Sequence, residues 1–427
     1  MQHGRRAEHA SVKPLYGNVN AIKAKFLGQR NKMPKKAYRE LNPPERLLLG
    51  AGPSNVDPRV QKALLSPIVE HLDPYFSEVM TETVELLRHV FKTGNHITLP
   101  ISGTGSAGME AAVCNLVERG DEVVTCTNGF FGERIKEMVT RCGGKPVAVA
   151  AEWGKPVAKE DLEKALSQSQ AKIVAVVHAE TSTGVLQPLA DIVKTTHEHD
   201  ALLVVDAVTS LGGCELEVGK LGIDVCYSAS QKCLNCPPGL APITASERAM
   251  EHIRNRKTKV QSWYLDLSTI EEYWLRNNRA YHHTAPILLV YALREALKFL
   301  YEEGLEARWQ RHKKNATALI NGAEALGIKP HADPKYRCPA LVALKVPQGV
   351  QEAKVRATIR EEFGITISGG LGQLAGQLWR VGLMGINSTE RNVVLVLEAL
   401  ERTLKKEGYP VKLSAGVAAA MQSFSAS

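Results

Sequence analysis

The chain has 427 residues, 44% hydrophobic and 23% charged, which is ordinary globular composition and excludes a mostly disordered, collagenous or fibrous protein. No run approaches the roughly 18 consecutive apolar residues that a membrane-spanning helix needs, so no membrane partner is expected. The net charge of +8 sits entirely in residues 1–42, which hold ten Lys/Arg against Glu8 and Glu40; the rest is balanced, so the body is not a nucleic-acid binder by charge.

Residues 1–42 show no sustained helical or strand period and are expected to form an extended basic arm. It is acid-poor like a transit peptide but has no amphipathic face. The expected compartment is therefore cytoplasmic, with mitochondrial as the alternative. The chain ends Phe424-Ser425-Ala426-Ser427, unlike a peroxisomal Ser-Lys-Leu address. The eight cysteines are spread through apolar segments and are expected as reduced thiols rather than a disulfide framework.

From about residue 95, short apolar runs alternate with amphipathic stretches. Strands are predicted at Ile97–Ile101, Glu122–Cys126, Lys172–Val177, Ala201–Asp206 and Ile223–Ser228. Helices are predicted at Gly108–Leu116, Gly132–Arg141 and Leu189–His199 between them. This βαβα order predicts a parallel sheet covered on both faces. After a long helix at 287–303 come helices at 305–326, 351–363 and 388–406, interleaved with strands at Ala340–Val346, Ile365–Ser368 and Leu378–Leu383. The expected division is a large α/β domain over 43–304, a smaller C-terminal α+β domain over 305–412 and a flexible tail over 413–427.

Four features carry candidate chemistry. Ser102-Gly103-Thr104-Gly105-Ser106 follows a strand and opens a helix, where small residues and free N–H groups suit a phosphate or make only a tight turn. The stretch also fits a dinucleotide fingerprint, but the next strand ends in Cys126-Thr127 without the ribose-binding acid, which disfavours a nicotinamide dehydrogenase. Asp206 ends the most apolar strand, where ligands of open α/β sheets bind; the plain alternative is a turn or cap Asp. Lys232, within Ser230-Gln231-Lys232-Cys233-Leu234, has small and apolar neighbours. Desolvation there makes an amine nucleophilic toward carbonyls, unless the side chain snorkels. Arg380 lies in an apolar strand and suits a carboxylate or a buried ion pair. Cys233-x-x-Cys236 has no second pair to complete a zinc site. His282 and His283, adjacent in sequence, are expected to point different ways. No metal is expected.

A phosphate cup, a strand-end acid, a buried lysine and a strand arginine meet the needs of pyridoxal 5′-phosphate. The chain resembles class V aminotransferases of the alanine–glyoxylate / serine–pyruvate group from about Leu48 to Leu404. The resemblance rests on Gly50-Ala51-Gly52-Pro53-Ser54-Asn55, Ser102–Gly105, Glu180-Thr181-Ser182-Thr183-Gly184, Val205-Asp206-Ala207-Val208, Ser230-Gln231-Lys232, Tyr281-His282-His283-Thr284 and Gly369-Gly370-Leu371-Gly372. It implies the type I pyridoxal-phosphate fold, with a mostly parallel seven-stranded sheet, and a homodimer with shared active sites. It implies that Lys232 forms a Schiff base with pyridoxal phosphate and moves the substrate proton, and that Asp206 pairs with the ring nitrogen. Ser102, Gly103, Thr104, Gly105, Ser106, Val208, Ser230 and Gln231 are implied around the cofactor. Phe131 stands where the family usually has Trp, and Ser106 where it often has His. Thr181 is implied near the ring oxygen, and Tyr281 and Thr284 at the neighbouring subunit's phosphate. Arg380, Gly52 and Ser54 are implied at the substrate.

The implied reaction is ping-pong transamination of alanine or serine with glyoxylate or pyruvate, small amino acids and 2-oxo acids being the partners. A different donor, such as ureidoglycine or 3-hydroxykynurenine, is one alternative. A lyase or cysteine desulfurase on the same fold is a second, for which Cys338 is the one small-domain thiol. From another class, the basic arm would tether nucleic acid to a vestigial enzyme body.

Overall fold

Seven short, almost wholly apolar runs assemble the central sheet: β1 Ile97–Ser102, β2 Glu122–Thr127, β3 Lys145–Ala150, β4 Ile173–Val177, β5 Leu202–Asp206, β6 Val225–Tyr227 and β7 Leu240–Ala245. The computed structural model describes residues 38–276 and 279–426; residues 1–37, most of the expected basic arm, lie outside the described residues. The spatial order is β1-β7-β6-β5-β4-β2-β3. Only β7 runs antiparallel to its neighbours; the pairings among β2 to β6 are parallel. Every residue of β4, β5 and β6 is buried, as expected where helices cover both faces of a parallel sheet.

Two strands of this sheet are absent from the sequence-based expectation. β7 carries Pro242, and a proline argues against a central strand because it has no N–H to donate. Its register partner is Pro100, so two residues lacking a donor fall opposite each other. β3 is an edge strand with five of its six residues at least partly exposed, which blurs the apolar signal.

Helices α1 Gly105–Leu116 and α2 Phe130–Arg141 follow β1 and β2. Both therefore start at the carboxyl-end edge of the sheet. Arg46–Ser427 forms one compact unit. Within it, one hydrophobic cluster runs from Val60 to Leu305. A second gathers Leu49 with Ala316 through Phe424. The C-terminal elements are α3 Leu305–Ala325, a three-stranded antiparallel sheet of β8 Leu341–Lys345, β9 Ser368–Gly369 and β10 Leu378–Gly382, α4 Glu390–Lys406 and α5 Ala415–Ser425. Leu47–Leu48 pairs in parallel with Ile365–Thr366. The chain thus threads through the C-terminal cluster before entering the large one.

Helix α5 corrects the expectation of a flexible tail over 413–427. Its small residues allow close packing: a Cβ at Gly322 would lie 2.8 Å from the Gly416 carbonyl. The buried Glu401 carboxylate accepts N–H groups from Ser414 at 2.7 Å, Gly416 at 2.8 Å and Val417 at 3.1 Å. An acid at this position satisfies donors that a helix start leaves unpaired. Ala420 and Phe424 are buried in the C-terminal cluster. Phe424→Ala is expected to destabilise the protein by about 3 kcal/mol, measured as a lowered denaturant midpoint.

Candidate active site

Register places the chemistry. Val177, Asp206 and Tyr227 are aligned partners across β4, β5 and β6, so the strand-end acid sits mid-sheet with a tyrosine beside it. Asp206 is 3% exposed. One carboxylate oxygen accepts the Val208 N–H at 2.8 Å and the other accepts the Tyr227 hydroxyl at 2.9 Å. Burial raises its pKa to about 6 against the pull of these two donors.

A cavity of about 200 Å³ opens over this acid, lined by Thr104, Gly105, Ser106, Phe131, Thr181, Val208, Gln231 and Lys232 among others. Lys232 reaches in from the loop after β6, and its Nζ donates to the Ala51 carbonyl. Burial, with the Arg380 charge next, lowers its pKa to about 8. Gly52 packs against the Lys232 amine and its carbons, with φ of +102°, so any side chain there would displace the lysine. The Ser54 hydroxyl donates to the Lys232 carbonyl at 2.8 Å.

Arg380, in β10, is 6% exposed and donates to the Gly369 carbonyl at 2.6 Å and the Thr181 carbonyl at 3.2 Å. Burial lowers its pKa to about 10, which leaves it cationic at neutral pH. Helix α1 begins at the cavity with no side-chain cap from Thr104, leaving its first N–H groups for a ligand. A Cβ at Gly105 would come within 2.8 Å of the Ala229 Cβ, so glycine lets the loop close on the sheet.

Nine of the cofactor residues expected from the sequence thus share one cavity. The others lie elsewhere. Gly103 hydrogen-bonds through its N–H to the Gly239 carbonyl at 2.9 Å. The Ser102 hydroxyl is 2.6 Å from His283 Nε2. Ser230 is fully buried and donates to the Pro237 carbonyl at 2.6 Å, facing away from the cavity lining. Tyr281 is 61% exposed and Thr284 is exposed; neither lines this chain's own cavity. His282 and His283 do not diverge: their Nδ1 atoms are 2.7 Å apart. The segment from 279 to 286 is neither helix nor strand, so no regular geometry separates adjacent side chains. Cys233 is a buried free thiol with its pKa raised by burial to about 12.

Several residues that shape the site escaped the sequence reading. Met109, Arg134 and Thr209 also line the cavity. Asn235, three residues beyond the lysine, donates to Ser54 Oγ at 2.9 Å, the Asn55 carbonyl at 3.1 Å and the Met384 carbonyl at 3.2 Å. It accepts from Arg308 at 2.9 Å and from the Ile386 N–H at 2.8 Å. One amide thereby ties the lysine loop, the Gly50–Asn55 loop and the C-terminal elements together. An Asn beside Cys236-Pro237 reads as a turn residue, and only its buried partners distinguish it.

The residues present fit pyridoxal 5′-phosphate. The buried Asp206 carboxylate forms no ion pair with any described residue, and Gln231 Oε1 is buried without a hydrogen-bond partner. An amine, an anion cup and an aromatic ring surround the same cavity. Residues 57–393 match the family Aminotransferase class-V. The chain is 45% identical to the solved alanine–glyoxylate aminotransferase of Nostoc sp., with a TM-score of 0.85, covering 86% of this chain and 97% of that one. It is 37% identical over 401 residues to the (S)-ureidoglycine–glyoxylate transaminase of Bacillus subtilis, covering 90% of this chain and 96% of the relative. It is 39% identical over 375 residues to the alanine–glyoxylate aminotransferase of Callithrix jacchus, covering 87% and 91%. With the type I fold, the strand-end acid and the buried lysine in place, the chain belongs to the class V aminotransferases.

Proposed function

We propose that this aminotransferase moves the amino group of alanine or serine to glyoxylate, with pyridoxal phosphate as cofactor. The observation that carries the reading is the placement of the Lys232 amine and the Asp206 carboxylate on one cavity at the strand ends, with the Arg380 guanidinium bonded to the carbonyl of Thr181 in its lining. Glyoxylate as acceptor is favoured because alanine and ureidoglycine relatives alike are named for it.

When bound, the cofactor supplies an aldehyde for the amine and an electron sink for the substrate α-carbon. The chain's residues do the rest. Lys232 Nζ would hold the aldehyde end and would serve as the base for the substrate α-proton; a pKa near 8 suits both giving and taking a proton at neutral pH. Asp206 would hold a proton on the ring nitrogen. Thr104, Gly105, Ser106 and Gln231 would hold the phosphate at the α1 N-terminus. Phe131, Thr181 and Val208, which line the cavity, would hold the ring, and Arg380 would bind the substrate carboxylate. Ser106 and Phe131 leave more room than the His and Trp usual in the family, which bears on donor size.

Exposed Leu65, Ile68, Leu72, Tyr75, Trp263 and Tyr281 support self-association, with Tyr281 and Thr284 completing a neighbour's site. Cys338, the thiol a desulfurase would need, is 2% exposed with its Sγ 3.9 Å from that of Cys214, which speaks against that chemistry. Free thiols at all eight cysteines suit a reducing compartment, and the cytoplasm is the compartment we favour. Among the described residues no helix is long and apolar enough to cross a membrane. Half-reactions with alanine, serine and ureidoglycine, each followed by glyoxylate or pyruvate, test the assignment. Alanine or serine with glyoxylate is expected to give the highest kcat/KM, and a preference for ureidoglycine above tenfold would overturn the donor assignment.

A further inference from the structure

Glu180 is 1% exposed, and four donors converge on its carboxylate. One oxygen accepts the N–H groups of Phe131 at 2.9 Å and Gly132 at 3.2 Å. The other accepts the N–H of Ser182 at 3.0 Å and its hydroxyl at 2.6 Å. The same Ser182 hydroxyl accepts the Phe130 N–H at 2.9 Å. Three successive donors at the start of α2 are thus satisfied by two side chains from the turn after β4. Gly129 makes this approach possible, because any Cβ there would run into the Glu180 side chain and lie 2.5 Å from Ser182 Oγ.

The turn serves both walls of the cavity. On one side it fixes the first residues of α2, and hence the Phe131 ring. On the other, Thr181 lines the cavity and its carbonyl receives Arg380 at 3.2 Å. Burial raises the Glu180 pKa, yet the N–H donors favour its charged form. That charge also supports the cationic state of Arg380.

We infer that Glu180, backed by Ser182, is a positioning residue that sets the aromatic wall at Phe131 and the carboxylate grip at Arg380 in register over the cofactor ring. This rests on the proposed roles of Phe131 and Arg380. A displacement of about 1 Å in such a frame lowers turnover by up to about 100-fold.

The test uses holoenzyme carrying Glu180→Gln, Ser182→Ala or both. An amide keeps the shape but turns a donor toward N–H groups. Glu180→Gln is expected to lower kcat by about 10- to 100-fold and to change the visible circular dichroism of the bound cofactor. Ser182→Ala, the milder change, is expected to shift both in the same direction, and the double variant to fall little beyond Glu180→Gln alone. Wild-type dichroism and kcat in both single variants, even with a lowered melting temperature, would overturn the inference and leave Glu180 a structural cap. The dichroism reads the frame without reference to the donor. Failure of the wild type to transaminate alanine or serine would therefore count against the proposed donor and not against this clamp.

Discussion

Lys232→Ala enzyme is expected to lose transamination by about four orders of magnitude or more while remaining folded. The side chain lines the cavity, its Nζ donates to the Ala51 carbonyl and Gly52 packs against it; removing it leaves a small void, and the buried Asp206 carboxylate that its charge supports keeps the Val208 and Tyr227 donors. The visible absorbance of the lysine-linked cofactor should vanish with the activity, and a small primary amine such as methylamine should restore part of the turnover. Wild-type apoprotein should capture the cofactor faster as pH rises through about 8, because burial and the Arg380 charge favour the neutral amine. An unperturbed lysine would place that rise near 10.4. Full activity in the variant, or capture rising only near pH 10, would contradict the assigned role.

Asp206→Asn separates function from stability. Its amide oxygen can accept the Val208 N–H while its NH₂ donates to the Tyr227 hydroxyl, so both native contacts have replacements. What disappears is the charge proposed to hold a proton on the ring nitrogen. Turnover should fall by about 10²- to 10³-fold. Stability should move the other way in the apoprotein. The folded pKa of about 6 lies above the ordinary aspartate value of 3.8. Stability associated with this group is therefore complete below about pH 4 and lost as pH rises through about 6. At pH 8 the uncharged variant should melt at or above the wild type. Loss of activity together with a large fall in apoprotein melting temperature would instead mark Asp206 as a structural residue.

The parts legible in the sequence were those that burial dictates locally. Leu202–Asp206 is readable as a strand because both of its faces are covered, and a Lys set among Ser230, Cys233 and Leu234 already departs from surface usage. Residues whose role depends on distant partners were not legible. Tyr227 serves Asp206 only because β5 and β6 align these two positions. Glu180 stands out as a buried acid only once the start of α2 is laid against it. Pro242 hid a central strand, and the alanines of 418–420, which read as a frayed end, instead permit a helix to pack closely.

Borohydride reduction of the holoenzyme, followed by peptide mass mapping, tests the central claim most directly. The account predicts a pyridoxyl mass on Lys232 and on no other lysine, at one equivalent per chain. Label on a different lysine, or none under conditions where the enzyme turns over, would contradict it.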